Sequence, residues 1–477
     1  MLVAGVLALS GCGDGTAPRS DVTAITVRLA GDTLVAGDSA DVSADLRDGA
    51  RAAVGVLPTW RSSNPATAIV RGAATVPAAT VVAVAPGVVE IVASVGRTTG
   101  RALLTVLPPS AFDVAIEDVQ WSQATQTPDG ALPMVLDGNA AVVNVLLRTT
   151  VPGRAAGTLR LTVRDAAGTV VHRDSAAARP LTATTSFADP SAQFLVPARV
   201  LRPGLTWEVV RDPTGVRVDG NAANDRFPRA AAASLATIAL PPMHVRFVPI
   251  VLTAHAGLRP DLSSASVDQL LPMLLRLVPW SGLSTSVAPP LTTTARFGES
   301  TTGGTRTFWT QILAEVDVVR TTDASFREAY WIAVVPTPEG FRTITHGGFA
   351  FVPTDFAGSG AGTRTGAVLQ FPPDPSFTAT TLAHEFGHLF GRRHAPCGTP
   401  EDVDPAFPVP LGRIGAAGHD VVGWATGVTF GATPRVPATG DLMGYCSPIW
   451  VGPYTYAGML AARRAGVVTA IRETPTA

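Results

Sequence analysis

The sequence of 477 residues contains no lysine, so all of its basic residues are arginines. Charged residues of both signs are also scarce, at 15% of the chain, and the formal net charge is −1. Proteins that bind nucleic acids concentrate positive charge against the phosphates. This charge balance therefore predicts no nucleic-acid partner, and we attribute the missing lysine to coding bias.

Long hydrophobic runs are missing as well. The first residues, MLVAGVLALSGCGDG, form a short apolar stretch that ends in small residues. The stretch is too short to span a bilayer as a stable helix and is typical of the central region of a signal peptide. No later segment has the length and apolarity of a membrane span, so the sequence predicts an exported body that lies outside the membrane.

Cysteine is the third scarce residue, with three in the chain. The first ends the motif LSGC at Cys12, which resembles the lipobox of bacterial lipoproteins. The resemblance implies that residues 1–20 are a lipoprotein signal peptide and linker, and that lipidated Cys12 tethers the protein to a membrane. A plain secretory peptide with a chance cysteine is the alternative. If Cys12 carries lipid, Cys397 and Cys446 remain as an even pair in a compartment where disulfides persist.

The chain is long enough for about three domains, and its 46 glycines and 40 prolines favour turns and short strands. Residues 21–107 alternate apolar and polar side chains between Gly-Asp turns, which predicts a β-sandwich of half-buried antiparallel strands. The stretch WRSSNP, which begins at Trp60, resembles bacterial Ig-like domains. That resemblance implies a spacer or binding module.

Two prolines, Pro108 and Pro109, mark the next boundary. Residues 108–242 contain further short strand patterns, such as AAVVNVLLRTT and GTLRLTVRD, and predict a second β-sandwich. The segment VDGNAANDRFP offers oxygen ligands of the kind that Ca²⁺ prefers. Because it lacks the regular ligand spacing of a known calcium loop, we interpret it as a polar turn and regard Ca²⁺ as an unsupported alternative.

Residues 243–477 have a different pattern. SASVDQLLPMLLRLVP and FWTQILAEVDVVRTTD are typical of helices, whereas AYWIAVVP, GGFAFVP and GAVLQF are typical of strands. Mixed elements of this kind predict an α+β domain. The predicted fold class is therefore multidomain, with two N-terminal all-β sandwiches, the Ig-like one first, followed by an α+β domain.

The stretch HEFGHLFGRRH, from His384 to His394, gathers three of the eight histidines. Asp374 followed by Pro375 predicts the start of a helix, and Gly391 predicts its left-handed end. The probability that this pattern arises by chance in a chain of this composition is on the order of a few in a million. Ordinary polar histidines therefore explain the cluster poorly.

The spacing of the cluster suits a metal ion. His384 and His388 lie one helical turn apart, so both can reach the same ion, and Gly391 turns the chain so that His394 returns from outside the helix. Three neutral imidazoles with one open position are typical of catalytic zinc, whereas structural zinc sites are closed by four protein ligands.

The pattern HExxHxxGxxH matches the zinc-binding signature of the metzincin metallopeptidases, which the C-terminal region resembles. The resemblance implies that His384, His388 and His394 bind one catalytic Zn²⁺ and that Glu385 is the general base. It extends the prediction for residues 243–477 to a metzincin-like α+β peptidase domain.

The same family has a methionine turn beneath the metal, and GDLMGYCSP fits it with Met443. Tyr445 matches a tyrosine that binds zinc or stabilises the transition state in the astacin-like and serralysin-like branches. A packing role for Tyr445 beside Met443 is the alternative, and the sequence does not choose between the two. Ala395 follows the third histidine, which leaves the subfamily open.

Cys397 lies three residues after His394, and Cys446 lies three residues after Met443. Since the resemblance implies that both segments converge under the metal, we expect a disulfide between them. The rival interpretation is a thiolate that inhibits or ligates the zinc. We rank it lower because three histidines and a water already complete the expected site.

These features predict a zinc-dependent endopeptidase anchored at the bacterial cell surface. It would be a monomer that hydrolyses protein or glycoprotein substrates without a covalent intermediate. One alternative is a surface adhesin with Ig-like modules and an inactive peptidase-like head. Another is a zinc hydrolase that acts on non-peptide amides or glycan-bearing proteins. Metzincin-like enzymes bind peptides along an edge strand. GAVLQF is the candidate edge that we favour, and GGFAFVP is its competitor.

Overall fold

The computed structural model describes residues 22–50, 55–152, 156–179, 185–214, 220–297, 302–303, 306–339, 343–344, 347–353, 364–429 and 432–472. The predicted signal peptide and Cys12 lie outside the described residues. The chain forms two compact units. Of the described residues, those within 1–114, 149–154 and 217–222 form the smaller unit, and those within 115–148, 155–216 and 223–477 form the larger.

The smaller unit is a β-sandwich. Its described strands are β1 (Ala24–Leu29), β2 (Thr33–Val35), β3 (Ser39–Arg47), β4 (Thr59–Ser62), β5 (Ala68–Gly72), β6 (Ala78–Ala83), β7 (Gly87–Val95) and β8 (Thr98–Leu107). They form two four-stranded sheets with the orders β1-β3-β6-β5 and β2-β8-β7-β4. Val42, Val81, Ile91 and Leu104 are buried in the core that the two sheets share. The alternating pattern of residues 21–107 therefore predicted the architecture correctly.

The first part of the larger unit is also built of strands. They are β9 (Val114–Ser122), β10 (Met134–Val135), β11 (Ala141–Thr149), β12 (Thr158–Arg164), β13 (Val170–Ala177), β14 (Ala192–Val196), β15 (Thr206–Arg211), β16 (Arg226–Phe227), β17 (Ala233–Ser234) and β18 (Thr237–Ile238). The main sheets have the orders β14-β11-β9 and β13-β12-β15-β16, with β17 beside β15, and β10 pairs with β18. This region is sandwich-like, as the strand patterns predict.

The second part of the larger unit combines strands and helices. The strands are β19 (His244–Leu252), β20 (Ser284–Val287), β21 (Leu291–Thr293), β22 (Thr302–Gly303), β23 (Tyr330–Pro336), β24 (Thr343–Ile344), β25 (Gly348–Ala350), β26 (Thr365–Gln370), β27 (Gly418–Asp420), β28 (Thr433–Arg435), β29 (Gly440–Asp441) and β30 (Ile449–Trp450). The helices are α1 (Ser264–Leu277), α2 (Arg306–Thr322), α3 (Pro375–Leu389), α4 (Val421–Ala425) and α5 (Pro453–Arg472). Among the described residues, no helix is both long enough and apolar enough to cross a bilayer.

A mixed sheet organises this second part. Its order is β20-β19-β23-β26-β25, with β21 also paired to β19, and every pairing is parallel except that of β25 with β26. Strand β23 is buried on both faces. Ile332 and Val334 pack in one core with α1 and α3, while Trp331 and Val335 pack in another with α2. Burial on both faces explains why β23 is a continuous apolar run, AYWIAVVP.

The boundary predicted at residue 242 lies inside the larger unit. The backbone amide of His419 and the indole nitrogen of Trp450 both donate hydrogen bonds to the carbonyl of Ala124, at 2.7 and 2.8 Å. His419 Nε2 lies 2.8 Å from the carbonyl oxygen of Phe187. The second β-region therefore packs directly against the region that carries the histidine cluster.

Candidate metal centre

Helix α3 begins and ends where its sequence predicts. The carboxylate of Asp374 accepts hydrogen bonds from the amides of Ser376 and Phe377 at 3.1 and 3.2 Å. At the other end, Gly391 has a φ of +75°, and its amide donates to the carbonyl of His388 at 2.8 Å. A left-handed residue at this point turns the chain back beside the helix, which is how the third histidine returns.

The three histidines converge. One ring nitrogen from each of His384, His388 and His394 lies within 4.8 Å of the others. The Nε2 atoms of His388 and His394 are 3.1 Å apart, and the ring centroids of His384 and His394 are 5.3 Å apart. Three side chains from two segments of the chain therefore face one point.

Each of the three rings is oriented by a backbone carbonyl near its Nδ1 atom. The carbonyls are those of Leu442 for His384 at 2.8 Å, Arg392 for His388 at 2.7 Å and Glu401 for His394 at 2.5 Å. A carbonyl oxygen can only accept a hydrogen bond, so the proton of each neutral ring resides on Nδ1. The lone pair on Nε2 is then available to a metal ion, and the ring cannot rotate away without breaking its hydrogen bond.

His384 and His388 are neutral at ordinary pH. Burial lowers the pKa of His384 to about 4 and lowers the pKa of His388 well below its usual value. Metal ions bind the neutral imidazole, so depressed pKa values remove the competition from protons. Three imidazoles that converge on one point fit Zn²⁺ in their donor chemistry.

Glu385 lies beside the histidines and is only 4% exposed. Its Oε2 atom is buried, and no described residue forms a hydrogen bond with it. Burial raises the pKa of the Glu385 carboxyl well above its usual range. A carboxylate with increased proton affinity suits a general base that must take a proton and later release it.

Met443 is fully buried and lies directly against α3. A Cβ atom on Gly387 would be 2.2 Å from Met443 Sδ, so a glycine is required for this close approach. The sequence analysis did not identify the side chain that fixes the turn at Met443, which is Asp441. The buried Asp441 carboxylate accepts hydrogen bonds from the Met443 amide at 3.0 Å and the Thr455 hydroxyl at 2.8 Å. The only available signal was an acidic residue two positions before the methionine.

Cys397 and Cys446 form a disulfide with their Cα atoms 5.6 Å apart. The predicted pairing is confirmed, and neither sulfur is a free thiolate. Main-chain hydrogen bonds join the same segments, from the Tyr445 amide to the Cys397 carbonyl at 2.8 Å and from the Ala395 amide to the Met443 carbonyl at 3.0 Å. The loop that carries His394 is thus tied to the methionine segment.

Tyr445 faces the histidines. Its hydroxyl lies 3.1 Å from His394 Nε2, and its ring centroid is 5.8 Å from that of His384. The residue is 54% exposed, whereas Met443 is fully buried. This position argues against a packing role beside the methionine. Partial burial raises the pKa of the Tyr445 hydroxyl to about 12, so the group remains a hydrogen-bond donor at neutral pH.

Our prediction that GAVLQF forms the edge strand was wrong. Strand β26, which contains all of GAVLQF except its last residue, is paired on both sides. Among the described strands the sheet ends at β25, within the competing segment GGFAFVP. The Leu369 amide donates to the Gly347 carbonyl at 2.7 Å, so Gly348 and Val368 form a non-hydrogen-bonded pair. The amide and carbonyl of Gly348 consequently point away from β26. A Cβ atom on Gly348 would lie 2.7 Å from Glu385 Oε1, which places the edge strand against the predicted base.

The segment considered for Ca²⁺ is described from Gly220 onwards. Within it, the Asp225 carboxylate forms an ion pair with the buried guanidinium of Arg211. A carboxylate that neutralises a buried arginine has a structural role, in agreement with our interpretation of this segment as a turn.

Neither a protein-family model nor a curated protein matches the chain. The S-layer protein SbsC, domains 4 and 5, is similar over 17% of this chain and 51% of its own length, with 19% identity and a TM-score of 0.16. The Escherichia coli adhesin FdeC is similar over 45% of this chain and 64% of its own, with 15% identity and a TM-score of 0.19. The Yersinia pseudotuberculosis adhesin InvE covers 46% of this chain and 61% of its own, with 13% identity and a TM-score of 0.15. At these TM-scores we draw no functional conclusion from the likenesses.

Proposed function

We propose that the protein is an exported zinc-dependent endopeptidase with a metzincin-like catalytic region. The observation that carries this proposal is the convergence of His384, His388 and His394, each with its Nδ1 atom engaged by a carbonyl. The buried carboxyl of Glu385 lies beside them, its Oε2 atom forms no hydrogen bond with any described residue, and in this proposal it is the base. The disulfide is consistent with export, because disulfides persist in oxidising compartments.

A zinc ion held by the three rings would polarise a peptide carbonyl and increase the acidity of water. Glu385 takes a proton from the attacking water and passes it to the leaving amine nitrogen. The Tyr445 hydroxyl, on the open side of His394, donates a hydrogen bond to the oxygen that becomes negatively charged. The reaction has no covalent intermediate.

The substrate lies along β25 in this proposal. The outward-facing amide and carbonyl of Gly348 can form hydrogen bonds with an extended peptide, as in the addition of a strand to a sheet edge. Since a Cβ atom on Gly348 would lie only 2.7 Å from Glu385 Oε1, a peptide bound at this edge has its scissile bond close to the base in this proposal. The near-neutral net charge of −1 gives no electrostatic preference for a substrate.

The test is Glu385→Gln. The variant should keep one zinc per chain and lose activity on casein by about 100-fold to 10,000-fold, because it can no longer accept a proton. The matched control is Glu328→Gln, since the Glu328 side chain is 80% exposed and pairs with Arg364 away from the cluster. Wild-type turnover by Glu385→Gln would refute the assigned base, and a wild-type protein that binds no zinc would refute the proposal. Gelatin and mucin-like substrates distinguish peptide cleavage from action on glycan-bearing proteins or other amides.

Adhesion is the second candidate, and it rests on the smaller unit. Residues 22–107 form a separate two-sheet sandwich that resembles Ig-like binding modules in its sequence. The exposed face of one sheet is concave and is lined by Arg28, Asp41 and Arg71. If this candidate is right, the protein binds a surface while the purified chain shows neither stoichiometric zinc nor chelator-sensitive cleavage.

A further inference from the structure

Asp404 lies outside the HExxHxxGxxH pattern, yet it is connected to two of the three predicted ligands. Its backbone amide donates to the carbonyl of His394 at 2.8 Å. Its Oδ2 atom lies 3.6 Å from Arg392 Nη2, in an ion pair whose side chains are only 12% and 14% exposed. The carbonyl of that same arginine lies 2.7 Å from Nδ1 of His388.

The Asp404 carboxylate is held firmly on its other side. The Tyr454 hydroxyl donates to Oδ2 at 2.9 Å, and the Ala406 amide donates to Oδ1 at 2.9 Å. The Tyr454 ring also lies under the Arg392 guanidinium, with 4.3 Å from Cζ to the ring centroid. Helix α5, which carries Tyr454, therefore supports the ion pair from below.

Arg392 has little freedom to move within this arrangement. A Cβ atom on Gly458 would lie 2.2 Å from Arg392 Nη1, so the guanidinium sits directly on the backbone of α5. Without Asp404 this mostly buried charge would lose its ion-pair partner, and of the described carboxylates that interact with it only Asp441, which forms no ion pair with it, would remain. The guanidinium would then be driven towards water. Movement of Arg392 would shift the carbonyl that orients His388.

We propose that Asp404 is a positioning residue that sets the affinity of the centre for zinc. It would act by fixing the main chain at Arg392 and at His394 at the same time. This inference rests on the proposed function, since it assumes that the three histidines bind zinc. Residues that orient the metal ligands without touching the metal typically reduce metal affinity 10-fold to 100-fold when they are replaced.

The test compares the zinc dissociation constants of the wild-type chain and Asp404→Asn by competition with a chromogenic chelator. Asparagine keeps the size of the side chain but removes the charge, so we expect the dissociation constant to rise at least 10-fold. The matched control is Asp402→Asn. Asp402 also forms an ion pair with an arginine, Arg393, but the two side chains are 58% and 44% exposed, respectively, so neither charge is buried. Asp402 also has a φ of +52°, which asparagine tolerates, so this control should stay within about twofold of wild type.

Two further variants keep the test decisive. Tyr454→Phe removes one hydrogen bond to Asp404 but leaves the charge, and it should give a smaller rise in the dissociation constant. Arg392→Gln combined with Asp404→Asn should bind zinc no more weakly than Asp404→Asn alone, because no uncompensated charge remains. Near-ultraviolet circular dichroism of the zinc-free proteins checks folding, and Tyr454→Phe decides the question if Asp404→Asn does not fold.

The outcomes separate the two levels of inference. If the wild-type chain binds one zinc and Asp404→Asn binds it as tightly as Asp402→Asn does, the role of Asp404 is refuted while the peptidase proposal stands. If Asp404→Asn does not fold, a Tyr454→Phe variant with wild-type affinity refutes it instead. If the wild-type chain binds no zinc, the proposed function itself fails.

Discussion

The hydroxyl of Tyr445 lies 3.1 Å from Nε2 of His394, the atom that would bind the metal. The sequence left two roles open for this residue, in catalysis or in packing. Its exposure and its direct contact with the ring favour the first, because a packing residue would be buried with Met443. The position of the Tyr445 hydroxyl oxygen therefore favours one of two roles that the residue type alone leaves open.

Tyr445→Phe should lower kcat by about 10-fold to 100-fold, because one hydrogen bond to the charged oxygen is lost. Zinc content and KM should change little, since the phenyl ring keeps its place beside the histidines. Steady-state kinetics with zinc analysis measures all three quantities. Tyr454→Phe is a useful comparison, because it affects the support of the metal centre and not the reacting atoms. An unchanged kcat in Tyr445→Phe would contradict the catalytic role.

Strand β25 and helix α3 show how two elements depend on each other. The absence of a side chain at Gly348 lets the edge strand approach within contact distance of Glu385, and Gly387 does the same for Met443 on the helix. The disulfide, with a sequence separation of 49, ties the two loops below the helix and contributes roughly 4 kcal/mol in the chain-entropy description. The elements around the centre are therefore set by close backbone approaches and one covalent link.

Gly348→Ala should reduce kcat/KM at least about 10-fold. The added methyl group would lie 2.7 Å from both Glu385 Oε1 and the Ala367 carbonyl, so the strand and the base must move apart. None of the three atoms nearest to that methyl group belongs to a histidine, so zinc content should stay at one per chain. Gly366→Ala, on the neighbouring strand, is the control, because the three nearest atoms to its Cβ are side-chain carbons, of Ile332 at 3.2 Å, Leu389 at 3.5 Å and Ala350 at 3.7 Å. Wild-type kcat/KM in Gly348→Ala would show that β25 does not position the base.

On the scale of the whole molecule, the chain consists of two compact units that each have their own core. The histidine centre belongs to the larger unit, where Ala124 links the second β-region to His419 and Trp450. Metal binding should consequently stabilise the larger unit alone, because a ligand stabilises only the structure to which it binds.

Calorimetry of the zinc-bound chain should show two unfolding transitions. Removal of zinc with a chelator should lower one midpoint by roughly 5–10 °C and leave the other in place. Hydrogen exchange assigns the affected transition, which should belong to residues 115–148, 155–216 and 223–477. Glu385→Gln should show the same shift as wild type, because it keeps the ligands. Equal shifts of both transitions would contradict a metal site confined to one unit.

The sequence by itself determined the local features. The Asp374 cap, the Gly391 turn and the one-turn spacing of His384 and His388 depend on neighbouring residues, so short-range rules predicted them. The same holds for the strand patterns of the β-sandwich and for helices α1 and α2, whereas the sequence analysis did not predict α5. The Cys397–Cys446 pairing was predictable only through the family resemblance, because it joins segments far apart in the chain.

Only the tertiary structure decided which strand lies at the edge of the described sheet and where Tyr445 points. It also showed that Asp441 and Asp404 are hydrogen-bonded to the segments that carry Met443 and His394. It also placed the region before residue 242 against the histidine region. The reason is physical. Strand order and buried hydrogen bonds depend on contacts between distant residues, and an apolar run or an isolated aspartate looks the same in the sequence whichever partner it meets.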